Sequence, residues 1–224
     1  MSRLNIAIDG PAGAGKSTVA KRIAKELNIH YLDTGAMYRA MGLFVLRHGV
    51  DPRDEEGLHV LMPQADITVR YLEDGTQRVF IGSEDVTDQI RTPEISMAAS
   101  TVSAFPPVRD QLSALQRQVG VDYDVVMDGR DITTNVLPHT KHKFFVTASP
   151  EVRAQRRCKE LLEKGESTDF DAVLADIIRR DHQDTTRDYM PLRQAEDAML
   201  VDTSEMTIAE VTKVMIDAIL EKER

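Results

Sequence analysis

Along the chain, short apolar runs alternate with amphipathic stretches. Leu4 to Ile8 is an apolar run that ends in Asp9-Gly10, and Lys16 to Asn28 carries Val19, Ile23 and Leu27 at a spacing of four, one face of a helix. Tyr31-Leu32 reads as a second strand. Gly35 to His48, with Met37, Met41, Phe44 and Val45 on one side, reads as a second helix, and residues 54–62 as a short third. Near Pro63 the period shortens. Ile67, Val69 and Tyr71 alternate with polar residues, as do Val79 and Ile81, and Glu73-Asp74-Gly75-Thr76 between them is a turn signal. With Val86 in a third short piece, residues 64–88 read as a small antiparallel sheet inserted between helices.

Helical pattern resumes from Glu94 to Ala104 and, past Pro106-Pro107, runs on to Val119. Val125 to Met127 is a buried-type strand ending in Asp128-Gly129, and Lys143 to Thr147 is another. Pro150 suits the first position of a helix that reaches Lys164 and ends at Gly165. Asp169 to Arg187 is the next helix, Met199 to Val201 the last strand, and Ile208 to Glu221 the last helix. Such alternation predicts an α/β fold, a parallel sheet covered on both faces. Ligands of these sheets bind at the carboxyl ends of the strands, so Asp9-Gly10, Asp33-Thr34 and Asp128-Gly129 are expected on one rim.

The first strand and helix bracket Gly10-Pro11-Ala12-Gly13-Ala14-Gly15-Lys16-Ser17, which fits the phosphate-loop pattern G-x-x-x-x-G-K-[ST] in the required context, and Thr18 follows. Backbone N–H groups of such a loop turn inward around phosphate oxygens, and the helix N-terminus adds partial positive charge. Lys16 is placed to reach the β- and γ-phosphates of a nucleoside triphosphate, and the Ser17 hydroxyl to hold Mg²⁺. Asp128 ends a hydrophobic strand, as a Walker-B carboxylate does, and is placed to orient Mg²⁺ through water.

The 224 residues suffice for one domain with a sizeable insertion, and need no disulfide or metal to stabilise it. Cys158 is the single cysteine, which rules out an internal disulfide framework; flanked by Arg157 and Lys159, it reads as a thiol on a helix. Met1 to Leu4 runs straight into the first strand, leaving no room for a secretory leader, and no apolar run is long enough to span a membrane. A cytoplasmic enzyme is expected. The net charge of −9 argues against nonspecific nucleic-acid binding. His139-Thr140-Lys141-His142 has metal-like spacing but lacks a cysteine or acidic partner nearby and reads as a loop.

Phosphate loops serve switches, motors and kinases. No [NT]-K-x-D base-reading motif of a GTPase is present, and Asp54-Glu55-Glu56-Gly57 matches D-x-x-G by spacing but follows no strand. A compact kinase is left. Gly10–Thr18, Asp33-Thr34-Gly35-Ala36-Met37-Tyr38-Arg39, Ile90-Arg91-Thr92, Ser100 with Arg109, Asp128-Gly129-Arg130-Asp131, and Arg180 with Asp184 and Arg187 together resemble the bacterial cytidylate kinases over nearly the whole chain. The resemblance implies a five-stranded parallel sheet of order 2-3-1-4-5 flanked by helices. It also implies one kinase domain over 1–224, a monophosphate-binding subdomain at about 35–120 that includes the β insertion, and a short lid at about 152–168. The implied reaction moves a phosphoryl group from Mg-ATP to CMP or dCMP, in a monomer.

An NMP acceptor is nearly dianionic at pH 7, so two phosphate groups must be brought together against repulsion, which calls for several arginines. By resemblance Arg39, Arg130 and Arg187 hold the acceptor phosphate, Arg180 and Asp184 meet the ribose hydroxyls, and Asp131, Arg109 and Ser100 read the base. A carboxylate matches the cytosine amine, and an arginine its two acceptors. Uracil would present Asp131 with a carbonyl, a mismatch worth at least about tenfold. Arg153, Arg156 and Arg157 look like the family's lid arginines, which close over ATP, and Asp33 falls at the acceptor side. No general base is required, because the acceptor oxygen is already anionic; catalysis is positioning plus charge neutralisation. Thr34 stands where many members carry serine and keeps the hydroxyl, and the lid lacks the four-cysteine zinc site of some adenylate kinases. Other readings are a UMP/CMP or other small-acceptor kinase, which an acceptor panel decides; a regulatory ATP-binding module without turnover, which ATP affinity with no product from any NMP would support; and an adaptor with a vestigial loop, against which intact Lys16 and Ser17 argue.

Overall fold

The computed structural model describes residues 3–223, so Met1 and Ser2 of the expected lead-in lie outside the described residues. The N-terminal half runs β1 (Asn5–Asp9), α1 (Lys16–Leu27), β2 (His30–Asp33), α2 (Thr34–Arg47), α3 (Glu55–Leu61), β3 (Ile67–Tyr71), β4 (Gln77–Ile81) and β5 (Glu84–Asp85). Then follow α4 (Pro93–Val102), α5 (Pro106–Asp122), β6 (Val125–Gly129), β7 (His142–Thr147), α6 (Pro150–Glu163), α7 (Phe170–Thr186), β8 (Met199–Asp202) and α8 (Ile208–Lys222). Five strands make one sheet in the order β2-β6-β1-β7-β8, every pair parallel. Counted along that sheet alone, this is the order 2-3-1-4-5. The inserted segment is a separate antiparallel sheet, β3-β4-β5.

Side chains alternate across the sheet and sort into two cores. Ala7, Leu32, Val125 and Met127 face a layer that includes Met37 and Met41 of α2 and Leu112 of α5. Ile6, Ile8, Val126, Phe144 and Val146 face Val19 and Ile23 of α1 and Met215 and Ile219 of α8. The middles of the central strands, Ile6 to Ile8, Val125 to Met127 and Phe144 to Val146, are apolar because both faces are covered. Val79 of β4 and Ile67 of β3 join the first core, so the insertion packs on α2.

Local chemistry sets the element ends. Asp33, Asp54, Thr92, Ser149, Asp169 and Thr207 each cap a following helix by accepting a backbone N–H, with Thr207 and Glu210 forming a capping box. The D-x-x-G spacing at Asp54 is thus a helix cap, its Oδ1 accepting from Gly57 N at 3.0 Å. Gly165, at φ 76°, closes α6. One correction concerns His142, read as loop. It opens β7, is buried, and its Nε2 lies 2.8 Å from Glu223 Oε1, joining the sheet to the C-terminal helix end.

Candidate active site

Gly10 leaves β1 at φ 147°, and a Cβ there would lie 1.9 Å from the Val146 carbonyl oxygen, so only glycine lets the loop pass β7. The loop then turns into α1, whose first residue Lys16 is buried and donates from Nζ to the Pro11 carbonyl at 2.7 Å. Ser17 and Thr18 stay exposed at the helix start. Arg153, at 2% exposure, braces the loop from behind. It donates to Ala12 O (3.1 Å), to Ala148 O (2.9 Å), and to both oxygens of Asp181 on α7 (3.0 and 2.5 Å). Arg156 is held by Thr203, donating to its Oγ1 (3.0 Å) and its carbonyl (2.6 Å). Arg157 points outward and, among the described residues, hydrogen-bonds only to the exposed Glu160, at 3.3 Å.

Beside the loop, the ends of β2 and β6 lie in register, Asp33 opposite Asp128. Asp128 accepts from Ser17 Oγ (2.8 Å) and Tyr31 OH (2.7 Å), and its carbonyl accepts from Thr34 Oγ1 (2.7 Å). Burial, then the nearby Asp33 charge, raise the Asp128 carboxyl above its ordinary range. Asp33 caps α2 through Oδ1 and holds Arg39 through Oδ2, at 2.9 and 2.8 Å. Asp9, fully buried at the end of β1, accepts from Ile132 N, Thr133 N and Thr133 Oγ1 at 2.6–2.8 Å. Burial pushes its carboxyl up to about 6 against those three donors. The donors lie on one π-helical turn, Ile132–Val136, which follows Asp131 and fixes how the chain leaves β6.

A second cluster lies beyond Arg130. Arg130 Nε donates to Asp184 Oδ2 at 2.7 Å, and Arg187 Nη1 stands 3.5 Å from Asp184 Oδ1. Arg109 donates to Asp131 Oδ1 at 2.5 Å and to the Ser103 carbonyl at 3.1 Å. Asn135 donates to Asp131 Oδ2 at 3.1 Å. Arg187 Nη2 lies 3.9 Å from Asp131 Oδ1 and has no hydrogen-bond partner among the described residues. Burial and then the Arg109 charge push Arg187 below the ordinary arginine range, and burial and then Arg130 do the same to Arg180. Burial raises Asp184, but Arg130, Arg187 and Arg180 outweigh it and hold the carboxyl low. Crowded, partly repelling guanidinium groups of this kind form a basin that an anion relieves. Ser100 borders the cluster, its carbonyl accepting from Gln183 Nε2 at 3.2 Å.

The structure therefore gathers the loop residues, Ser17, Asp33, Thr34, Arg39 and Asp128 at one rim, with Arg109, Arg130, Asp131, Arg180, Asp184 and Arg187 beside them. It ties Arg153 into the loop wall and leaves Arg156 and Arg157 on α6 outside. Sequence reading missed Tyr31, Thr133, Asn135, Asp181 and Thr203. None of these carries a local signal, whereas Asp9, an acid ending an apolar strand just before the loop, was placed on the rim by its position.

The cytidylate kinase family model matches residues 6–221. The cytidylate kinase of Enterococcus faecalis is 49% identical over 222 residues, spanning 99% of this chain and 98% of that protein. That of Caldicellulosiruptor bescii is 46% identical over 217 residues, spanning 97% and 96%. Among solved structures, an uncharacterized protein from Eubacterium ventriosum aligns with a TM-score of 0.55 at 14% identity over 98% of this chain and 99% of that one, a likeness of fold alone.

Proposed function

The chain belongs to the cytidylate kinase family, and from that premise we propose how its residues divide the transfer of a phosphoryl group from ATP to CMP or dCMP. The observation that carries the reading is the junction at the end of β6. There Asp128 faces the phosphate loop through Ser17, while Arg130 and Asp131 join the arginine cluster of α5 and α7.

On the donor side, Gly10 to Thr18 wrap the triphosphate and Lys16 neutralises its β- and γ-oxygens. Arg153 supports this loop from its wall, and Arg156 and Arg157 approach from α6 as the lid, about residues 152–168, closes. Ser17 and Asp128 suit Mg²⁺, which takes one or two protein ligands and keeps waters and phosphate oxygens for the rest. Bound there with ATP, the ion supplies charge neutralisation at the transferred group.

On the acceptor side, Arg39, Arg130 and Arg187 hold the monophosphate, with Asp33 orienting Arg39 and Thr34 beside it. Asp131, Arg109 and Ser100 meet the base, and Arg180 and Asp184 the ribose. An acceptor phosphate oxygen attacks the terminal phosphorus, the bond from that phosphorus to the β,γ-bridging oxygen breaks, and ADP leaves with the electron pair. No side chain needs to remove a proton. Residues 35–120 form the monophosphate-binding subdomain. The working form is a cytoplasmic monomer that binds no nucleic acid; no helix among the described residues is long and apolar enough to cross a membrane.

Asp131→Asn tests the base assignment, because it keeps the shape beside the buried Arg109 while removing the charge. The ratio of kcat/KM for CMP to that for UMP should fall at least about tenfold. An unchanged ratio would remove Asp131 from base reading.

A further inference from the structure

The geometry points to Gln77, on the inserted sheet, as a positioning residue for the acceptor phosphate site; this rests on the placement of Asp33 and Arg39 at that site. β2 is the outer strand of the parallel sheet, so among the described residues one side of it has no neighbouring strand. At such an edge the backbone N–H and C=O groups need partners. Gln77 supplies both for Asp33. Its Oε1 accepts from Asp33 N at 2.7 Å, and its Nε2 donates to Asp33 O at 3.3 Å. The side-chain amide thus pairs with the strand end as a further strand would.

The residue held in this way has every other function engaged. Asp33 Oδ1 caps α2, Oδ2 holds Arg39, and the Cα lies opposite Asp128. Gln77 opens β4, directly after the hairpin turn and opposite Tyr71. A displacement of the hairpin is therefore transmitted to the Asp33 backbone, and from there to the carboxylate that aims Arg39. Packing of Val79 and Ile67 on α2 holds the hairpin on the molecule without Gln77. The amide has the separate task of setting where Asp33 stands.

Steady-state kinetics of Gln77→Leu, similar in size but without hydrogen bonds, tests this. The KM for CMP should rise about fivefold or more while the KM for ATP stays within about twofold; the unpaired Asp33 N–H lowers the thermal midpoint somewhat, and the assay is run well below it. Gln77→Glu keeps an acceptor for Asp33 N and should fall between wild type and Gln77→Leu. Arg39→Ala is the reference. The double variant Gln77→Leu/Arg39→Ala should bind CMP no more weakly than Arg39→Ala alone, since both act through one pair. An unchanged KM for CMP in Gln77→Leu, or additive losses in the double variant, overturns the inference. If Arg39→Ala itself leaves the KM for CMP unchanged, the acceptor-site reading fails instead.

Discussion

Lys16 combines burial with a crowded charge environment. Burial and then the neighbouring Arg130 charge push its ammonium down to about 7, against the pull of Asp128, Asp9 and Asp184. The ordinary value is 10.5, so between about 7 and 10.5 the folded chain binds fewer protons than the unfolded one. Lys16 therefore makes stability rise with pH across that window, and its contribution is least favourable below it. A polyphosphate beside Nζ restores the charge. At pH 8, binding of ATP should take up about one proton through Lys16, read by calorimetry in buffers of different ionisation enthalpy. An enthalpy independent of buffer would contradict the assignment. Lys16→Ala should abolish turnover with the circular dichroism spectrum unchanged, and full activity in that variant would remove Lys16 from the mechanism. Lys16, Ser17 and Asp128 were legible because their motif is contiguous or ends a strand. Thr133 was not, because what gives it meaning is Asp9, which lies 124 positions away and donates no pattern to the local sequence.

Among the elements, α6 and α7 show how a surface-looking arginine becomes internal. Periodicity places Arg153 on a helix but cannot tell that the carbonyls of Ala12 and Ala148 and the carboxylate of Asp181 converge on it. Asp181→Ala leaves a buried guanidinium half-satisfied and should cost about 1–3 kcal/mol, measured by urea unfolding. An unchanged midpoint would mean that the carbonyls alone hold Arg153. The inserted sheet was legible from its period of two and the turn at Gly75. The π-helical turn Ile132–Val136 was not, because a single turn offers too few residues for a period. The close crossing of α2 and α4 was equally hidden. A Cβ on Gly42 would come within 2.8 Å of Ala99 N, a contact that exists only once both helices are placed.

The whole molecule carries a net charge of −9 yet gathers Arg39, Arg109, Arg130, Arg180 and Arg187 at one rim of the sheet. That cluster of guanidinium groups suits a protein that must hold two phosphate-bearing substrates together. Alternation of strands and helices made the α/β class legible, but not the strand order, because neighbours in the sheet are set by crossovers that leave no mark on local pattern. The order 2-3-1-4-5 followed from resemblance and is the order observed. On the proposed reading the acceptor, too, is recognised only by the assembled rim, where Asp131 just past β6, Arg109 from α5 and Arg187 beyond α7 meet. The most direct measurement is ADP release by the wild-type chain with Mg-ATP and a panel of CMP, dCMP, UMP, AMP, GMP and shikimate. Turnover with CMP and dCMP at least about tenfold above every other acceptor is the expected result. Equal or faster turnover with UMP, AMP, GMP or shikimate, or none with any acceptor, would contradict the account.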